Sequence, residues 1–365
     1  MTDPVDIAAF FATRRAPVAA VRVPHGHIHE TYVVTCGTGP TNERIVLQRL
    51  NTAIFRDLDA LVTNRERVTD HLQGHADARG RPSIVAESVA TLSGSPLHID
   101  DDGAAWRATR FVEGTHVLGP DATTDDLRAA ACAFAELARD LDELPPPELA
   151  ETIPHFHDFP RRRARLASAI TADRMGRASA VADLIDLSNR LGDRLERELA
   201  AVHAADLPAR VAHNDAKLDN VLVDSITHSV AGIVDLDTVM TGTVLNDFGE
   251  LARTATTTSP EDETDVSKIE LDRRRFGAIA EGYLAGAGSF LLEPERECLA
   301  LAGPLMTLEN AVRFLTDHLD GDVYYRADRP DHNAGRARAQ LRLAELMLAQ
   351  QPELRAAILA SAPSS

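Results

Sequence analysis

Short runs of apolar and β-branched residues alternate with turn-forming residues over the first part of the chain. Residues 32–35 and 44–49 are two such runs, and a segment containing glycine and proline separates them. This pattern predicts two strands joined by a turn. Apolar residues at helical spacing predict a helix over residues 57–73. Further strands are predicted over residues 82–92 and 106–112.

Helical patterns dominate the chain after about residue 121. Residues 127–144 and 161–202 carry apolar side chains at helical spacing, and helical patterns resume from residue 247 to the end. Between them, residues 211–234 break the pattern with short apolar strands. The second part of the chain is therefore expected to be mainly helical.

This change in pattern divides the 365 residues into two lobes. We predict a small lobe over residues 1–112, built mainly from an antiparallel sheet plus a helix. A larger helical lobe is predicted over residues 113–365, with the junction near Glu113 and Gly114. The fold class is α/β in the broad sense (α+β), with a bilobal arrangement.

Composition and charge narrow the function classes. The net charge is 38 − 56 = −18, which argues against a nucleic-acid binder because phosphate backbones select basic surfaces. No run approaches the ~18 apolar residues of a membrane span, and the N-terminus lacks the layout of a signal peptide. The three cysteines are far apart and suggest neither a disulfide framework nor a zinc site. We expect a cytoplasmic protein with no nucleic-acid or membrane partner.

The most informative stretch is a predicted β-hairpin with polar residues at its open end. Short apolar strands at residues 221–223 and 233–234 flank a turn over residues 224–229. Closure of the hairpin places Asn220, which precedes the first strand, beside Asp235, which follows the second. Because carboxylate and amide oxygens are the ligands that Mg²⁺ prefers, the hairpin predicts a magnesium site.

Asp215 lies on the loop that leads into this hairpin, five residues before Asn220. The spacing Asp-x-x-x-x-Asn is that of a kinase catalytic loop, in which the Asp orients the acceptor hydroxyl and accepts its proton. Lys217 is one of only two lysines in the chain, and eukaryotic-type kinases often keep a lysine at this position, beside the γ-phosphate. The spacing alone is common, but its combination with His213 and Asp235 is specific. We therefore predict phosphoryl transfer, with Asp215 and Lys217 as catalytic residues.

A second kinase-like triplet, Asp247-Phe248-Gly249, begins a predicted helix. The hairpin does not place this triplet at its open end. We interpret Asp247 as a structural carboxylate that caps the helix or anchors backbone. The role of Asp237 stays open: it could support the metal site, or it could simply end the strand.

Several segments resemble one known family over nearly the whole chain. They include residues 213–220, 234–240, 26–32, 46–51, 151–157, 305–309 and 313–333. These segments resemble the N-acetylhexosamine 1-kinases, which belong to the aminoglycoside phosphotransferase and choline kinase superfamily and have a protein-kinase-like fold. The resemblance implies ATP- and Mg²⁺-dependent phosphorylation of the anomeric hydroxyl of a sugar, with Asp215 as the base. Asn220 and Asp235 are the implied metal ligands.

The resemblance also implies that ATP binds between the lobes. The hinge is expected near Phe111–Gly114, with Phe111 and Val112 beside the nucleotide. The glycine-rich loop of kinases is reduced to Gly26, and the first lobe has no lysine. The phosphate contact that protein kinases make with a strand lysine is therefore predicted for Arg49, with Gln48 as the weaker alternative.

A sugar pocket is expected in the helical lobe. Arg313 and Tyr324 would supply a charged hydrogen-bonding group and an aromatic ring to lie against a pyranose face. Thr238 and His27 are predicted to border the same pocket. Two neighbouring acidic residues are interpreted as a solvated helix face: Asp317 and Asp320.

Two alternatives remain at this stage. The acceptor could instead be glucosamine, galactose, an aminoglycoside or an amino alcohol, because the charge of the whole chain does not place carboxylates in the pocket. The chain could also be a pseudokinase that binds nucleotide without turnover. The presence of the base, the metal ligands and Lys217 argues against that second alternative.

Overall fold

The computed structural model describes residues 3–24, 28–39 and 41–361. The strands in these residues form three sheets. They are β1 (Pro17–Arg22), β2 (Glu30–Cys36), β3 (Glu43–Arg49), β4 (Ser88–Val89), β5 (His98–Ile99), β6 (Ala105–Arg110), β7 (Thr115–Val117), β8 (Arg210–Ala212), β9 (Val221–Asp224), β10 (Val230–Ile233) and β11 (Met240–Gly242). The helices are α1 (Pro4–Ala8), α2 (Leu58–Ala78), α3 (Thr124–Leu141), α4 (Phe159–Ala172), α5 (Ala182–Ala201), α6 (Val244–Ala255), α7 (Arg273–Ala287), α8 (Glu293–Asp320), α9 (His332–Ala349) and α10 (Gln351–Ser361).

The first lobe is built on an antiparallel sheet of order β1-β2-β3-β6-β4, with β5 also paired to β6. One face of this sheet buries apolar side chains of β2, β3 and β6 against α1 and the chain that follows it. The other face is turned toward the second lobe. The predicted strands over residues 32–35 and 44–49 and the predicted helix that follows them are confirmed, although the helix ends later than expected.

The second lobe packs its helices around α8. This helix is 28 residues long and lies against α4, α5, α6, α9 and α10. It is long and apolar enough to cross a membrane by length and composition, with a mean hydropathy of 1.2 over 18 residues. Since 89% of that window is buried inside the protein, α8 is the central core helix of this lobe.

Two small sheets join the helices to the site described below. Strands β9 and β10 form the predicted hairpin, and β7 pairs with the other edge of β9. The backbone N–H of Val234 donates to the carbonyl of Asn220 at 3.0 Å, which closes the open end of the hairpin. Strand β8 pairs with β11 and brings Ala212 opposite Met240. The loops after β8 and after β10 therefore meet.

Two predicted elements differ from the structure. The strand predicted over residues 82–92 is reduced to β4, because residues 84–85 pair with Ile233 of the hairpin instead of with the first sheet. The helical stretch over residues 161–202 is two helices, α4 and α5, separated where Asp173 adopts a left-handed φ of 34°. The chain leaves the first sheet after β6, and β7 already belongs to the second sheet. The lobe boundary at residue 112 stays a prediction.

Helices α3 and α7 are in close contact at two glycines of α7. A Cβ atom at Gly282 would overlap the backbone carbonyl of Arg128, and one at Gly286 would overlap that of Cys132. A Cβ atom at Gly277, on the same helix, would meet nothing within 4 Å. These positions therefore test the packing of the two helices.

We expect Gly282→Ala to lower the free energy of unfolding by about 1–3 kcal/mol, because α7 must move away from α3. Gly277→Ala is the matched control, and it should raise that free energy by about 0.5–1 kcal/mol because alanine restricts the unfolded chain. Chemical denaturation measures both values. Equal effects of the two substitutions would contradict the close contact between the helices.

Candidate functional site

The loop after β8 is joined to the end of β10 by a histidine ring. The Nε2 of His213 lies 3.0 Å from the carbonyl oxygen of Val234, which can only accept, so this nitrogen donates. The Nδ1 of the same ring then accepts the backbone N–H of Asp215 at 3.3 Å. His213 thus fixes the backbone of Asp215 relative to the strand end that carries Asp235.

Asp247 anchors the backbone of the same loop. Its carboxylate accepts the backbone N–H of His213 at 2.9 Å and that of Asn214 at 2.7 Å. The prediction of a structural carboxylate that anchors backbone is confirmed, and it is not the cap of α6, because α6 begins after Thr243.

Thr238 is also part of this support. Its hydroxyl donates to the carbonyl of His213 at 2.7 Å, and the residue is only 4% exposed. The prediction that Thr238 faces a substrate is therefore wrong, since its one polar group is turned inward and already bonded.

Asp215, Lys217 and Asn220 are brought together as predicted. The Nζ of Lys217 lies 2.9 Å from Oδ2 of Asp215. The Asn220 amide nitrogen donates to the Asp215 backbone carbonyl at 2.8 Å and to its Oδ2 at 3.3 Å. Burial alone would raise the pKa of Asp215, but the ammonium group of Lys217 outweighs it, so the pKa is lowered and the carboxylate is ionised at neutral pH.

Asp235 has the opposite electrostatic situation. The residue is half-buried in a left-handed conformation with a φ of 62°, immediately after the hairpin. Burial raises the pKa of Asp235, and the nearby carboxylates of Asp237 and Asp215 raise it further. Within the residues that the structure describes, its side chain has no hydrogen bond and no ion pair. A cation placed here would relieve this repulsion.

The donor set at this point fits a magnesium ion. Because the Asn220 nitrogen is turned toward Asp215, its amide oxygen is left as an acceptor, and the carboxylate of Asp235 is the second oxygen donor. The described part of the chain contains no group of three or more His, Cys, Asp or Glu side chains that could hold a metal. Mg²⁺ is commonly held by one or two protein oxygens together with phosphates and water, so two donors are enough.

Asp237 joins this site to the first lobe. Its carboxylate is bound in a bidentate manner by the guanidinium of Arg107 on β6, with one contact at 2.7 Å, and it also lies 2.6 Å from Nε2 of His29. Burial would raise the pKa of Asp237, but Arg107 and His29 hold it well below its usual range. Asp237, whose role the sequence left open, thus forms a buried ion pair between the lobes.

Arg49 lies on the wrong face of β3 for a phosphate contact. Successive residues of a strand point to opposite faces. Gln48 shares its face with Arg107, whose Nε donates to Gln48 Oε1 at 2.9 Å, and this is the face turned toward the second lobe. Arg49 lies on the other face, opposite Trp106 and 3.6 Å from Glu30. The structure therefore contradicts the predicted role of Arg49, and the alternative, Gln48, carries no charge.

The other predicted nucleotide contacts stay predictions. Gly26 and His27 lie outside the described residues. Phe111 and Val112 lie in the connection between β6 and β7, where the Phe111 N–H donates to the backbone carbonyl of Arg44 at 3.1 Å. The carbonyl of Val112 accepts the hydroxyl of Thr115 at 2.8 Å.

Arg65 is a charged residue near this site that the sequence analysis missed. It lies on α2, which contacts the turn over residues 236–238. The signal was present in the helical pattern, because Arg65 follows the buried Leu61 by four residues and precedes the buried Val68 by three.

Arg313 and Tyr324 are close to each other, as predicted for the acceptor side. The guanidinium carbon of Arg313 lies 5.3 Å from the ring centre of Phe156, 5.5 Å from that of Tyr325 and 5.9 Å from that of Tyr324. Among the described residues it has no ion-pair partner. Tyr324 is half exposed. Together they form a cationic and aromatic surface.

The residue that holds this surface in place is Asp317, one helical turn after Arg313. Its Oδ1 accepts the backbone N–H of Val323 at 3.0 Å and of Tyr324 at 2.8 Å. The interpretation of Asp317 as part of a solvated helix face is therefore wrong, since it is 5% exposed. Asp320 is also not free, because its carboxylate binds Arg165 at 2.8 Å.

His157 connects this surface to the loop that carries Asp215. Its Nε2 lies 2.8 Å from the Asn214 carbonyl, and its Nδ1 lies 2.9 Å from Glu309 on α8. Burial opposes protonation of His157, but Glu309 raises its pKa overall. Since α8 also carries Arg313, this bridge fixes Arg313 relative to Asp215.

A cavity of about 790 Å³ lies beside the same bridge and is lined by Phe156, His157, Asn214 and Glu309 among others. Asp215, Asn220 and Asp235 do not line it. The cavity therefore lies on the side of the Asp215 loop that faces His157 and Glu309. It is not where a hydroxyl group would meet the Asp215 carboxylate.

The sequence matches one protein family over most of its length. The family is described as "Phosphotransferase enzyme family", and its profile matches residues 19–299. The chain is 35% identical over 141 residues to an aminoglycoside 3'-phosphotransferase of Streptomyces fradiae, covering 37% of this chain and 48% of that protein. It is 31% identical over 187 residues to the enzyme of that name from Streptomyces ribosidificus, covering 50% and 65%. The chain thus spans less than two thirds of either relative.

Solved structures share the fold at low sequence identity. A spectinomycin phosphotransferase in complex with ADP and spectinomycin aligns with a TM-score of 0.60 and 12% identity, over 94% of this chain and 97% of that chain. A microcompartment-associated aminopropanol kinase aligns with a TM-score of 0.63 and 19% identity, over 95% and 98%. A choline kinase from Streptococcus pneumoniae aligns with a TM-score of 0.52 and 11% identity, over 90% and 94%. These likenesses confirm the predicted bilobal fold.

The ion pair between the lobes gives a stability prediction. Arg107→Met should lower the free energy of unfolding by about 3–5 kcal/mol, because it leaves the Asp237 carboxylate buried without its main partner. Arg110→Met on the same strand is the control and should cost about 1 kcal/mol, since its partner Glu43 is more exposed. Denaturation at pH 7 compares them, and equal losses would contradict the pairing.

The same pair sets a pH dependence. Because the folded-state pKa of Asp237 is lowered, its contribution is present above the unfolded pKa of about 4 and is lost as the pH falls. The difference in free energy of unfolding between the wild-type protein and Arg107→Met should therefore narrow below pH 4, which denaturation at several pH values measures.

Proposed function

The chain belongs to the phosphotransferase enzyme family, and on this basis we propose that it transfers the γ-phosphoryl group of ATP to a hydroxyl group of a small molecule. The observation that carries the proposal is the convergence of Asp215, Lys217, Asn220 and Asp235 at the open end of one hairpin. An ionised carboxylate beside a free pair of oxygen donors is what phosphoryl transfer to an alcohol requires.

In the proposed reaction Asp215 orients the acceptor hydroxyl and takes its proton. A bond forms between the acceptor oxygen and the γ-phosphorus as the bond to the β–γ bridging oxygen breaks, and ADP leaves with the electron pair. The lowered pKa of Asp215 keeps it ready to accept the proton. Lys217 and Asn220 both contact Oδ2 of Asp215, and they therefore hold the carboxylate in one orientation.

Asn220 and Asp235 would hold Mg²⁺ through the amide oxygen and the carboxylate. When bound, this ion neutralises negative charge on the phosphates. The unfavourable position of Asp235 between two other carboxylates supports this assignment, since its charge has no partner among the described side chains.

For the acceptor we propose the anomeric hydroxyl of an N-acetylhexosamine. The support is the surface formed by Arg313 and Tyr324, which lie in the segment that most resembles the N-acetylhexosamine 1-kinases. An aromatic ring suits the apolar face of a pyranose, and a guanidinium can donate to hydroxyl and N-acetyl carbonyl oxygens.

The second candidate acceptor is an aminoglycoside, because the similar curated proteins carry the name aminoglycoside 3'-phosphotransferase. Arg313 argues against it, because its guanidinium forms no ion pair within the described residues and the nearby Glu309 is bound to His157, so its positive charge would repel a polycation. The two acceptors therefore differ in how they would respond to this one residue.

The proposed base gives the first test of function. Asp215→Asn should lower kcat by about 100- to 10,000-fold, because the amide cannot accept the proton, while the melting temperature changes little. Asp219→Asn alters an exposed carboxylate of the same loop and should keep its turnover. Steady-state ATP consumption measures both variants. A wild-type rate for Asp215→Asn would remove Asp215 as the base, and ATP binding without turnover in the wild-type protein would favour a pseudokinase.

The acceptor is tested by turnover across N-acetylglucosamine, N-acetylgalactosamine, glucosamine, galactose, aminoglycosides and amino alcohols. We expect the highest kcat/KM with an N-acetylhexosamine and a 1-phosphate product by phosphorus NMR. Arg313→Met should raise the KM for this sugar by about tenfold through loss of a charged hydrogen bond, with the KM for ATP unchanged. Preferred turnover of aminoglycosides would contradict the sugar proposal and leave the phosphotransferase proposal intact.

A further inference from the structure

The sheet of the first lobe presents no free cation to the cleft in the described residues. Arg49 is on the opposite face, and both terminal nitrogens of Arg107 are committed to Asp237. Two other arginines at this sheet, Arg44 and Arg110, are paired with glutamates. A nucleotide triphosphate carries several negative charges, so a cationic side chain of the described first lobe that contacts it would come from another element.

We propose that Arg65, on helix α2, is the residue of the first lobe that contacts the phosphates of the bound nucleotide. This inference rests on the proposed function, since it assumes that ATP binds between the lobes. It replaces the strand residue that the sequence analysis favoured with a residue from the adjacent helix.

The packing of α2 directs Arg65 toward the second lobe. Leu61, four residues before it, and Val68, three residues after it, are both buried, so all three lie on the inward stripe of the helix. The adjacent Asn64 exchanges two hydrogen bonds with the backbone of Ala150, at 2.8 and 3.0 Å. These bonds fix the rotation of α2 at the position of Arg65.

The end of α2 that carries Arg65 lies against the turn that follows Asp235. Helix α2 contacts residues 236–238 directly. The charged groups that act on Arg65 are Arg107, Asp237 and Asp235, and burial together with Arg107 lowers the pKa of Arg65 to about 10. The guanidinium therefore stays protonated at neutral pH, next to the proposed metal ligand.

Arg65 is half-buried and has no partner of its own within the described ranges. No hydrogen bond or ion pair joins its side chain to any of those residues, and the charge of Asp237 is already matched by Arg107. A cation held partly out of water without a partner is unfavourable until an anion reaches it. The planar fork of a guanidinium suits two oxygens of a phosphate group.

The test is direct binding of nucleotides by calorimetry in the presence of Mg²⁺. Arg65→Met should weaken ATP binding by roughly ten- to a hundredfold and leave the binding of adenosine unchanged, because adenosine has no phosphate. Arg65→Lys should recover most of the affinity, and Arg49→Met, the matched control, should bind ATP as the wild-type protein does. The KM for ATP should rise with Arg65→Met, while the KM for the acceptor should not.

The outcomes separate this inference from the proposed function. Wild-type affinity for ATP in Arg65→Met would overturn the inference and leave the proposed function standing. An equal loss for ATP and adenosine would also overturn it, since Arg65 would then shape the pocket rather than bind phosphate. Failure of the wild-type protein to bind ATP would instead overturn the proposed function. Without nucleotide, the melting temperature of Arg65→Met should be no lower than that of the wild-type protein. If the melting temperature of Arg65→Met is lower, Arg65→Lys is used for the same comparison of ATP with adenosine.

Discussion

The buried pair between Arg107 and Asp237 is the interaction on which the site depends. It joins the first sheet to the turn after the hairpin, and it pairs the charge of Asp237 with that of Arg107. Asp235, two residues earlier, forms no ion pair within the described residues and stays available to a cation. One ion pair thus gives two aspartates of the same short segment different roles, one structural and one available to a ligand. It also occupies Arg107, which leaves Arg65 as the half-buried arginine of the described first lobe that has no hydrogen-bond or ion-pair partner.

Local sequence features predicted the local part of this arrangement. The hairpin was predictable because its two strands are separated by a short turn, so pairing of Val221 with Ile233 follows from the chain itself. The convergence of Asp215, Lys217 and Asn220 follows from the same loop. Asp247 was predictable as an anchor because the hairpin left it away from the open end. In the hairpin and in the loop that carries Asp215 the partners are close in sequence, and few arrangements of the chain are possible.

The predictions that were wrong depend on partners distant in sequence. The face on which Arg49 lies follows from the alternation of side chains along β3, in which Ile45 and Leu47 face the core. The apolar Val46 between them hides this alternation in the sequence. Asp317 was interpreted as solvated because the loop that it binds, which carries Tyr324, is not visible in the helical pattern. Arg65 was missed because the carboxylates that act on it, Asp235 and Asp237, follow the hairpin more than 150 residues later. Register and long-range packing supplied what periodicity could not.

Two half-buried arginines, Arg65 and Arg313, have no ion-pair partner among the described residues. We have proposed that Arg65 binds the nucleotide and that Arg313 binds the acceptor, and the chain as a whole carries an excess of 18 negative charges. In so acidic a chain, a half-buried guanidinium without a carboxylate partner needs a local reason. Ligands rich in oxygen acceptors would supply that reason for both residues, with phosphates at Arg65 and a neutral sugar at Arg313 under the proposals above. A polycationic acceptor would be repelled by the charge of Arg313, so a surface suited to a neutral sugar would disfavour an aminoglycoside.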